Sequence, residues 1–322
     1  MKLSIVIVTW NVREELEQCL RSIDEHQPLT LCEVLVVDNA SADGTAEAIQ
    51  AKFPTVKLII NSRNLGFAAA NNQGIEHSSG QYVLVLNPDT IVHAGTLDGL
   101  VAFMDANQDV GACGPRLLNP DGTIQASVRR FPTLRSTFYF YTAVRFLGLF
   151  RRHYKGWRMK HFGHDREMDV DQVMGAALMV RRSALDQVGY MDEAFFMYYE
   201  EVDLCYRLKQ AGWRVVFTPT AEITHLGGCS ISQIQADKRI LSLRSLLTFF
   251  RKHRGRRKML IFAMFFKPAV VAQDILNLLI ATATYVLASV LFDRDKRLES
   301  ADKIGKATVC LTRYSWEILF RI

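Results

Sequence analysis

The stretch FFMYYEEVDLCYRL, from Phe195 to Leu208, concentrates three carboxylates directly after a group of aromatic side chains. Glu200, Glu201 and Asp203 fall within four positions, so their like charges repel one another. A solvated helix start would explain them, because acidic side chains are favoured at a helix N-terminus. A catalytic site that needs a base and a metal would explain them equally well. The stretch alone leaves both interpretations open.

Polar side chains also follow two apolar segments nearer the N-terminus. In VVDNASADGT, Asp38 and Asn39 come directly after an apolar run, and in LNPDT Asp89 follows an apolar run after Asn87 and Pro88. A carboxylate in such a position can accept hydrogen bonds from a nucleotide base or a ribose hydroxyl, or hold a divalent cation. His225, in THLGG, is a candidate second ligand, because imidazole binds transition metals such as Mn²⁺. An ordinary strand–turn–helix and a structural histidine are the alternatives.

The segment NSRNLGFAAANNQGI, from Asn61 to Ile75, combines several asparagines with small residues around Gly66. Close approach of a ligand to the backbone requires small residues such as glycine. Arg63 is placed to meet a phosphate, and Asn71 belongs to the same cluster. A capped helix start would explain Asn64 and Gly66, but it would not explain the whole cluster.

These residues fall between elements that alternate in type. Apolar, β-branched segments predict strands at Ser4–Trp10, Glu33–Asn39, Val56–Asn61 and Tyr82–Asp89. Helical spacing of apolar residues predicts helices at Arg13–Ile23, Ala42–Phe53 and Phe67–His77. This alternation predicts an α/β fold with a doubly wound parallel sheet, whose ligand site lies beyond the carboxyl ends of the strands.

Beyond Gly111 the pattern is less regular. It predicts a strand running into a helix at Gly175–Leu185, a helix at Leu204–Gln210 and a strand at Trp213–Pro219. The stretch from Arg129 to His164 is rich in basic and aromatic residues and poor in acids. We expect the stretch from Arg129 to Arg166 to contact anionic lipid headgroups or a pyrophosphate.

The C-terminal third begins with a cationic block, Arg251–Lys258, and continues as an almost wholly apolar run, Met259–Phe292. Ile275–Phe292 is the best candidate for a bilayer span, because a span needs about 20 apolar residues. Pro268 and Asp274 argue against one continuous helix across the run. A helix on the cytoplasmic membrane surface, a re-entrant hairpin, a buried cap and a homodimer interface are the other interpretations.

The composition is that of a chain with a sizeable core and a basic surface. Of its 322 residues, 49% are hydrophobic and 22% are charged, and the net charge of +6 favours anionic partners. The basic residues lie beside apolar runs and not in a nucleic-acid-binding motif, so we expect no nucleic-acid partner. Six scattered cysteines without a CxxC pair predict neither a zinc site nor a disulfide framework, as in a reducing cytoplasm. The apolar N-terminus predicts a buried strand, not a signal peptide.

Seven segments, taken in order, resemble the inverting family 2 glycosyltransferases of GT-A fold, and within them the rhamnosyltransferase-like branch. The segments are SIVIVTWN, VVDNASADGT, NLGFAAANNQGI, LNPDT, GAALMVRR, DEAFFMYYEEVDLCYRL and THLGG. The resemblance covers about Met1 to Ser230 and implies a Rossmann-like α/β fold with a mostly parallel central sheet. It suggests a glycosyltransferase domain at 1–240, with a nucleotide-binding half at 1–110 and an acceptor half at 111–240. A helical C-terminal region at 241–322 would associate with the membrane.

The resemblance also implies roles for the polar residues. Those implied to bind the nucleotide or donor sugar are Thr9, Asn11, Asp38, Asn39, Arg63, Asn64, Gly66, Asn71 and Asn87, with Gly175 and Ala176 facing the donor sugar or acceptor. Asp89 takes the place of the last aspartate in the family's DxD metal motif, and His225 would complete a site for Mg²⁺ or Mn²⁺. Asn87 stands at the first position of that motif, so only one carboxylate matches.

The acidic stretch matches the family's ED motif, whose second residue is the catalytic base. That position is Glu201, where many relatives have aspartate, and Glu200 and Asp203 are the other candidates. Asp203 is expected either to cap the helix or to hold Arg207. Neighbouring carboxylates and aromatic walls raise the pKa of a carboxyl, which suits a base that takes a proton from an acceptor hydroxyl.

The implied function is transfer of a sugar, L-rhamnose from dTDP-rhamnose, to a polyprenyl-diphosphate-linked glycan or polysaccharide. It would take place at the cytoplasmic face of the cell membrane, with the chain peripheral or shallowly inserted. A UDP- or GDP-sugar donor and a non-catalytic sugar- or membrane-binding module are the alternatives. A nucleotidyltransferase would be expected to carry a glycine-rich phosphate loop with a lysine near the N-terminus, and SIVIVTWNVREE has none.

Overall fold

The predicted alternation of strands and helices is present in the structure, a computed structural model that describes residues 1–228 and 235–321. The strands are β1 Leu3–Thr9, β2 Cys32–Asp38, β3 Lys57–Ile60, β4 Tyr82–Leu86, β5 Thr90–Val92, β6 Val110–Leu118, β7 Ile124–Gln125, β8 Val128–Arg129, β9 Met168–Asp169, β10 Gln172–Val173, β11 Ala177–Arg181 and β12 Arg214–His225. The helices are α1 Arg13–Glu25, α2 Thr45–Lys52, α3 Phe67–Glu76, α4 Thr96–Ala106, α5 Leu134–Tyr141, α6 Arg151–Trp157, α7 Arg182–Val188, α8 Glu200–Gln210, α9 Gln235–Arg254, α10 Arg256–Val290 and α11 Arg294–Val309.

The chain divides into two compact units. The first comprises Met1–Phe131 and Met159–Gln233, and the second comprises Pro132–Arg158 and Ile234–Ile322. The structure thus groups 132–158 with the C-terminal helices. The domain boundaries at residues 110 and 240 stay predictions.

The first unit is built on one mixed sheet with the strand order β3-β2-β1-β4-β11-β6-β12-β5. The first four of these strands are parallel, as the sequence predicts. Most apolar residues of β1, β2 and β4 are buried in the core. Strand β11 runs antiparallel between β4 and β6. Its beginning therefore lies beside the end of β4, which brings Gly175 and Ala176 to the edge where β1, β2 and β4 end.

Two elements next to the candidate site differ from their predicted bounds. Helix α8 begins at Glu200 and not at Leu204, so the acidic cluster forms its first turn. Strand β12 continues beyond Pro219 as far as His225. Its pairing with β6 is irregular between Phe217 and Glu222, and an irregular ladder tolerates a proline, which has no N–H to donate.

The second unit is helical. Phe138 on α5 meets Phe262 and Phe266 of α10 edge to face, with ring centroids 5.5 Å apart in both pairs. The expectation that Pro268 and Asp274 would interrupt the apolar run is wrong, because α10 is continuous across both. Proline removes one backbone hydrogen bond, and burial of the neighbouring α10 residues holds the helix there. Asp274 is buried but forms an ion pair with Arg239 of α9.

Among the helices of the described residues, α10 alone is long and apolar enough to cross a membrane. Its most apolar 18-residue window has a mean hydropathy of 1.7, and 33% of that window is buried. This statement concerns length and composition only, and the core helix of a soluble protein can meet the same criterion.

A buried carboxylate, that of Glu33, lies near the start of β2, at the opposite end of the strand from the candidate site. Its Oε1 accepts hydrogen bonds from Ser4 Oγ at 2.7 Å and Ser79 N at 2.7 Å, and its Oε2 lies 2.6 Å from Lys57 Nζ. Burial acts to raise the pKa of Glu33, but these donors outweigh it and lower the pKa to about 2. The charged form of Glu33 therefore stabilises the fold.

We predict that Glu33→Gln lowers the free energy of unfolding at pH 7 by about 3 kcal/mol, since each pKa unit corresponds to about 1.4 kcal/mol. Because folding lowers this pKa, the contribution of Glu33 is complete above the ordinary carboxyl pKa and is lost as the pH falls from about 5 to about 2. Denaturant unfolding across that range measures it. Glu25→Gln, at an exposed residue of α1, is the control, and equal losses in both variants would contradict the prediction.

Candidate active site

The ends of β1 and β2 form the first part of the candidate site. Thr9 and Asp38 are register neighbours, and both are buried. Asp38 Oδ1 accepts a hydrogen bond from Ser41 N at 3.0 Å, whereas Thr9 Oγ1 has no hydrogen-bond partner among the described residues. Asn11 adopts a left-handed φ of 52°, and its Oδ1 accepts from Ala42 N at 2.7 Å. The three predicted nucleotide-binding residues thus lie at one edge of the sheet.

The asparagine-rich segment is shaped by its own side chains. Asn39 Nδ2 donates to Asn64 Oδ1 at 2.9 Å, and Asn64 Oδ1 also accepts from Gly66 N at 2.9 Å. Asn71 is fully buried and donates to Phe67 O, but its Oδ1 has no hydrogen-bond partner in the part of the chain that the structure describes. Arg63 is exposed. Asn39 and Asn64 therefore position this loop, while Asn71 keeps an acceptor available.

Gly66 connects the asparagine-rich segment to the acidic stretch. Phe67 N donates to Phe196 O at 2.7 Å, so the two backbones touch. A Cβ added at Gly66 would lie 2.5 Å from Phe196 O, and the φ of Gly66 is +90°, so glycine is required here for both reasons. Tyr198 and Tyr199 then adopt left-handed φ angles of 67° and 70°, which bulky residues rarely adopt. This strained turn leads directly into α8.

Glu200 and Glu201 begin α8 with carboxyl groups that are poorly compensated. Oε2 of each is buried, and neither atom accepts a hydrogen bond from the described residues. Burial, together with the charge of Glu201, raises the pKa of Glu200 well above its usual range. Burial also raises the pKa of Glu201, although backbone N–H groups and the positive charge of Arg129 partly oppose it. The first turn of α8 is therefore not the solvated helix start that was the non-catalytic interpretation of the acidic stretch.

Asp203 has a different environment from its two neighbours. It is fully buried, and its Oδ2 accepts from Arg207 Nε at 2.7 Å. Arg207 also donates to the carbonyl oxygens of Val188 and Gly189, at 2.7 Å and 2.9 Å. Asp203 thus holds Arg207, one of the two roles that the sequence suggested for it. Its catalytic alternative stays a prediction.

Gly175 and Ala176 lie between the acidic turn and the end of β4. The Cβ and Cγ atoms of Glu201 are each 3.6 Å from the position that a Cβ on Gly175 would occupy. Ala176 O accepts a hydrogen bond from Asn87 N at 2.9 Å. Glu201 and the Asn87–Asp89 segment are therefore connected through two consecutive small residues.

Asp89 and His225 meet where β5 pairs with β12. His225 Nε2 lies 3.3 Å from Asp89 Oδ1, and His225 Nδ1 lies 2.6 Å from Gln125 Oε1. The Gln125 amide donates through Nε2 to Asn119 Oδ1 and to His225 O, so its oxygen accepts the proton of Nδ1. The lone pair of Nε2 then faces both Asp89 Oδ1 and the amide of Asn87.

The donors at this position suit a divalent cation that also binds a diphosphate. Asn87 Nδ2 lies 3.4 Å from His225 Nε2, and rotation of that amide would present its oxygen instead. No group of three or more histidine, cysteine or acidic side chains that could hold a metal occurs within 1–228 and 235–321. One carboxylate, one imidazole and one amide make a partial set, as in sites where substrate phosphates supply the other ligands.

The family model for "Glycosyl transferase family 2" matches residues 4–189, more than half of the chain. The chain belongs to glycosyl transferase family 2. A curated relative, the N-acetylglucosaminyl-diphospho-decaprenol L-rhamnosyltransferase of Mycobacterium tuberculosis, is 36% identical over 239 residues. The match covers 69% of this glycosyltransferase and 75% of the relative.

Solved structures are similar to this glycosyltransferase in fold. The Pyrobaculum calidifontis mannosyltransferase PcManGT, in complex with GDP-Man and Mn²⁺, aligns with a TM-score of 0.55 at 18% identity, over 96% of this chain and 86% of that one. GalNAc-T7 with UDP, GalNAc and Mn²⁺ aligns with a TM-score of 0.53 at 19% identity, over 70% of this chain and 43% of that one. The predicted family and GT-A fold are confirmed, whereas the roles of individual residues stay predictions.

Three residues contribute to the site of this glycosyltransferase in ways that the sequence did not indicate. Gln125 and Arg129 lie in short strands whose pattern is too brief to detect. Asn72 belongs to the asparagine cluster, but its function was not foreseen. Its amide donates to Met191 O at 2.8 Å and accepts from Met191 N at 3.0 Å, which fastens the segment before the acidic stretch to α3.

We predict that Glu200→Gln stabilises the protein at pH 8 by at least about 1 kcal/mol and has little effect at pH 4. Because folding raises this pKa, the wild-type side chain supports stability while protonated and opposes it as the pH rises toward the raised value. Denaturant unfolding at the two pH values measures the difference. The control is Glu14→Gln, at an exposed glutamate in the first turn of α1. Destabilisation by Glu200→Gln at pH 8 would contradict the prediction.

Proposed function

We propose that this glycosyltransferase transfers L-rhamnose from dTDP-rhamnose to a polyprenyl-diphosphate-linked glycan, with inversion at the anomeric carbon. The observation that carries the transfer chemistry is the packing of Glu201, with its raised pKa, against Gly175 beside the end of β4. The name of the 36% identical relative supports rhamnose and the lipid-linked acceptor.

In this proposal Glu201 is the catalytic base. Its carboxylate takes the proton of an acceptor hydroxyl while that oxygen attacks the anomeric carbon and the bond to the diphosphate breaks. A base is most effective when its pKa lies near the working pH, and burial moves the pKa of Glu201 in that direction. Burial and the charge of Glu201 raise the pKa of Glu200 well above its usual range, which favours its neutral form and lowers its repulsion of the base. Asp203 positions the turn through Arg207.

The donor would bind along the edge formed by the ends of β1, β2 and β4. Asp38 can accept from the base or the ribose, and Thr9 Oγ1 and Asn71 Oδ1 are buried atoms without hydrogen-bond partners in the described chain. Arg63, which is exposed, can approach the diphosphate. Gly66 contributes through its close contact with Phe196, which positions this segment, and not by leaving its own backbone open to the ligand.

Asp89 and His225, with the amide of Asn87, would hold Mg²⁺ or Mn²⁺. Such a cation, when bound, stabilises the negative charge of the leaving nucleoside diphosphate. Gln125 orients His225 by accepting its Nδ1 proton, which leaves Nε2 available as a ligand.

The proposed reaction takes place at the cytoplasmic face of the membrane. The exposed apolar side chains of α10 and the cationic block at 251–258 support peripheral or shallow attachment of the C-terminal region. A homodimer through these helices is a further expectation, which the mass of the protein in solution tests.

The test is release of nucleoside diphosphate from dTDP-rhamnose, UDP-sugars and GDP-sugars, with and without a polyprenyl-diphosphate N-acetylglucosamine acceptor. We predict acceptor-dependent release from dTDP-rhamnose, with product analysis showing an inverted linkage. Glu201→Gln should lower kcat by a factor of about 10² to 10⁴ without changing donor affinity, because it removes the base alone.

The matched control is Glu167→Gln, at an exposed glutamate of the same unit, which should retain wild-type kcat. If Glu201→Gln is active and Glu200→Gln is not, the base has been assigned to the wrong neighbour. Release from a UDP- or GDP-sugar alone would reject the rhamnose donor while keeping glycosyl transfer.

We predict that Gln125→Ala weakens Mn²⁺ binding in the presence of dTDP by a factor of about 10 to 100, since residues that orient a metal ligand typically have effects of this size. Titration calorimetry measures the affinity without requiring turnover. Asp89→Ala should abolish the binding, and Gln50→Ala, at an exposed residue of α2, should leave it unchanged. Unaltered affinity in Gln125→Ala would show that the Nδ1 contact does not orient the ligand.

A further inference from the structure

The second unit exposes a group of large apolar side chains between α5 and α6, far in sequence from the C-terminal helices. This group, here called the apolar tip, comprises residues 143–152. Phe146 is 62% exposed, Leu147 is 74% exposed and Leu149 is 53% exposed, and Phe150 also reaches solvent. Scattered apolar residues are normal on a surface, but four large ones within five positions form a patch of the kind found at interaction sites.

The segment that contains the apolar tip carries positive charge. Arg145, Arg151 and Arg152 are exposed, and the guanidinium of Arg145 lies 4.9 Å from the ring centroid of Phe146. Between residues 133 and 158 the sequence contains five arginines and one lysine, but no aspartate or glutamate. An apolar surface whose own segment carries only positive charge complements an anionic lipid bilayer, which has an apolar interior beneath negative headgroups.

Packing within the second unit holds the apolar tip in this exposed position. The rings of Tyr139 and Tyr154 stack with centroids 4.8 Å apart, which joins α5 to α6. Thr142 is buried, and its Oγ1 donates to Phe138 O at 2.7 Å. Tyr141 Oη lies 2.7 Å from Ser242 Oγ of α9. These contacts of α5, α6 and α9 therefore hold the apolar side chains of the tip toward solvent.

The backbone of the apolar tip turns sharply at its apolar residues. Gly148 and Phe150 have left-handed φ angles of 70° and 64°. Glycine adopts this conformation readily, but a bulky residue such as phenylalanine rarely does. The chain therefore reverses direction at residues whose side chains are exposed, so burial within the protein does not offset the unfavourable backbone conformation of Phe150.

We propose that the apolar tip inserts into an anionic lipid bilayer, with Phe146, Leu147 and Leu149 among the acyl chains and the arginines at the phosphates. A second copy of this chain is the less suitable occupant, since a symmetric contact would bring two cationic segments together. Residues 143–147 of the tip lie against α10, so the tip extends the exposed apolar surface of the second unit. Its insertion does not depend on the sugar that is transferred.

Co-flotation of the full chain with vesicles tests the proposal. Wild-type protein should float with vesicles that contain about one-third phosphatidylglycerol, and less with pure phosphatidylcholine. Arg151→Gln combined with Arg152→Gln should weaken binding to the anionic vesicles by about fivefold for each arginine, an effect that high salt removes. Phe146→Ser, Leu147→Ser and Leu149→Ser combined should weaken it at least about tenfold at every salt concentration.

Two matched controls separate the tip from general effects. Leu29→Ser combined with Leu31→Ser changes exposed leucines of the first unit, and Lys303→Gln combined with Lys306→Gln makes the same net-charge change on α11. Both should float like the wild type. Leu147→Trp should show a blue-shifted emission relative to the wild type on anionic vesicles, quenched by brominated lipid, which reports insertion directly.

Wild-type flotation by the triple serine variant, with unchanged thermal stability, would overturn the proposal. Failure of the wild-type chain to float with anionic vesicles would also overturn it. A triple variant that changes from dimer to monomer with unaltered flotation would also overturn it, by assigning the tip to contact between copies. None of these outcomes bears on glycosyl transfer, so the proposed reaction is tested separately.

Discussion

The arrangement of the candidate site depends on one close backbone contact, that between Gly66 and Phe196. No side chain fits between the Gly66 Cα and the Phe196 carbonyl, and the hydrogen bond from Phe67 N closes the contact. The chain from Phe196 must then turn through two left-handed tyrosines before α8 can start. The contact thereby fixes where the first turn of α8 lies relative to the edge of the sheet where β1, β2 and β4 end.

The same contact imposes an energetic cost, because it delivers two carboxyl groups to a position where neither is fully compensated. A helix N-terminus favours acidic side chains, but burial opposes their ionisation, and burial is the larger effect for both Glu200 and Glu201. Asp203, one turn later, avoids this conflict by pairing with Arg207. Three carboxylates that look alike in sequence thus differ in their environments and hydrogen-bond partners. Stability lost at such a site is the usual cost of a group poised for proton transfer.

Much of the fold could be predicted from the sequence, because the parallel strands are long apolar runs and their polar ends coincide with turns. Asp38, Asn39 and Asp89 could be placed at one edge for that reason. The start of α8 could not, because its first turn lacks apolar spacing and is set by the distant Gly66. Gln125 lies in a strand of two residues, and its role depends on a histidine 100 positions later. Continuity of α10 across Pro268 depends on packing that local propensity does not register.

The two units answer different physical demands. The first unit must bury polar groups: acceptors without hydrogen-bond partners among the described residues lie where β1, β2 and β4 end, near carboxyl groups with raised pKa values. The packed core of the mixed sheet and its helices holds these side chains in place. In the second, apolar side chains face solvent on α10 and on the apolar tip, and each group lies next to basic residues. For a lipid-linked acceptor, such as the one proposed, attachment to the bilayer confines enzyme and substrate to one surface. It thereby reduces the entropic cost of their encounter, and it does so without any additional contact to the acceptor.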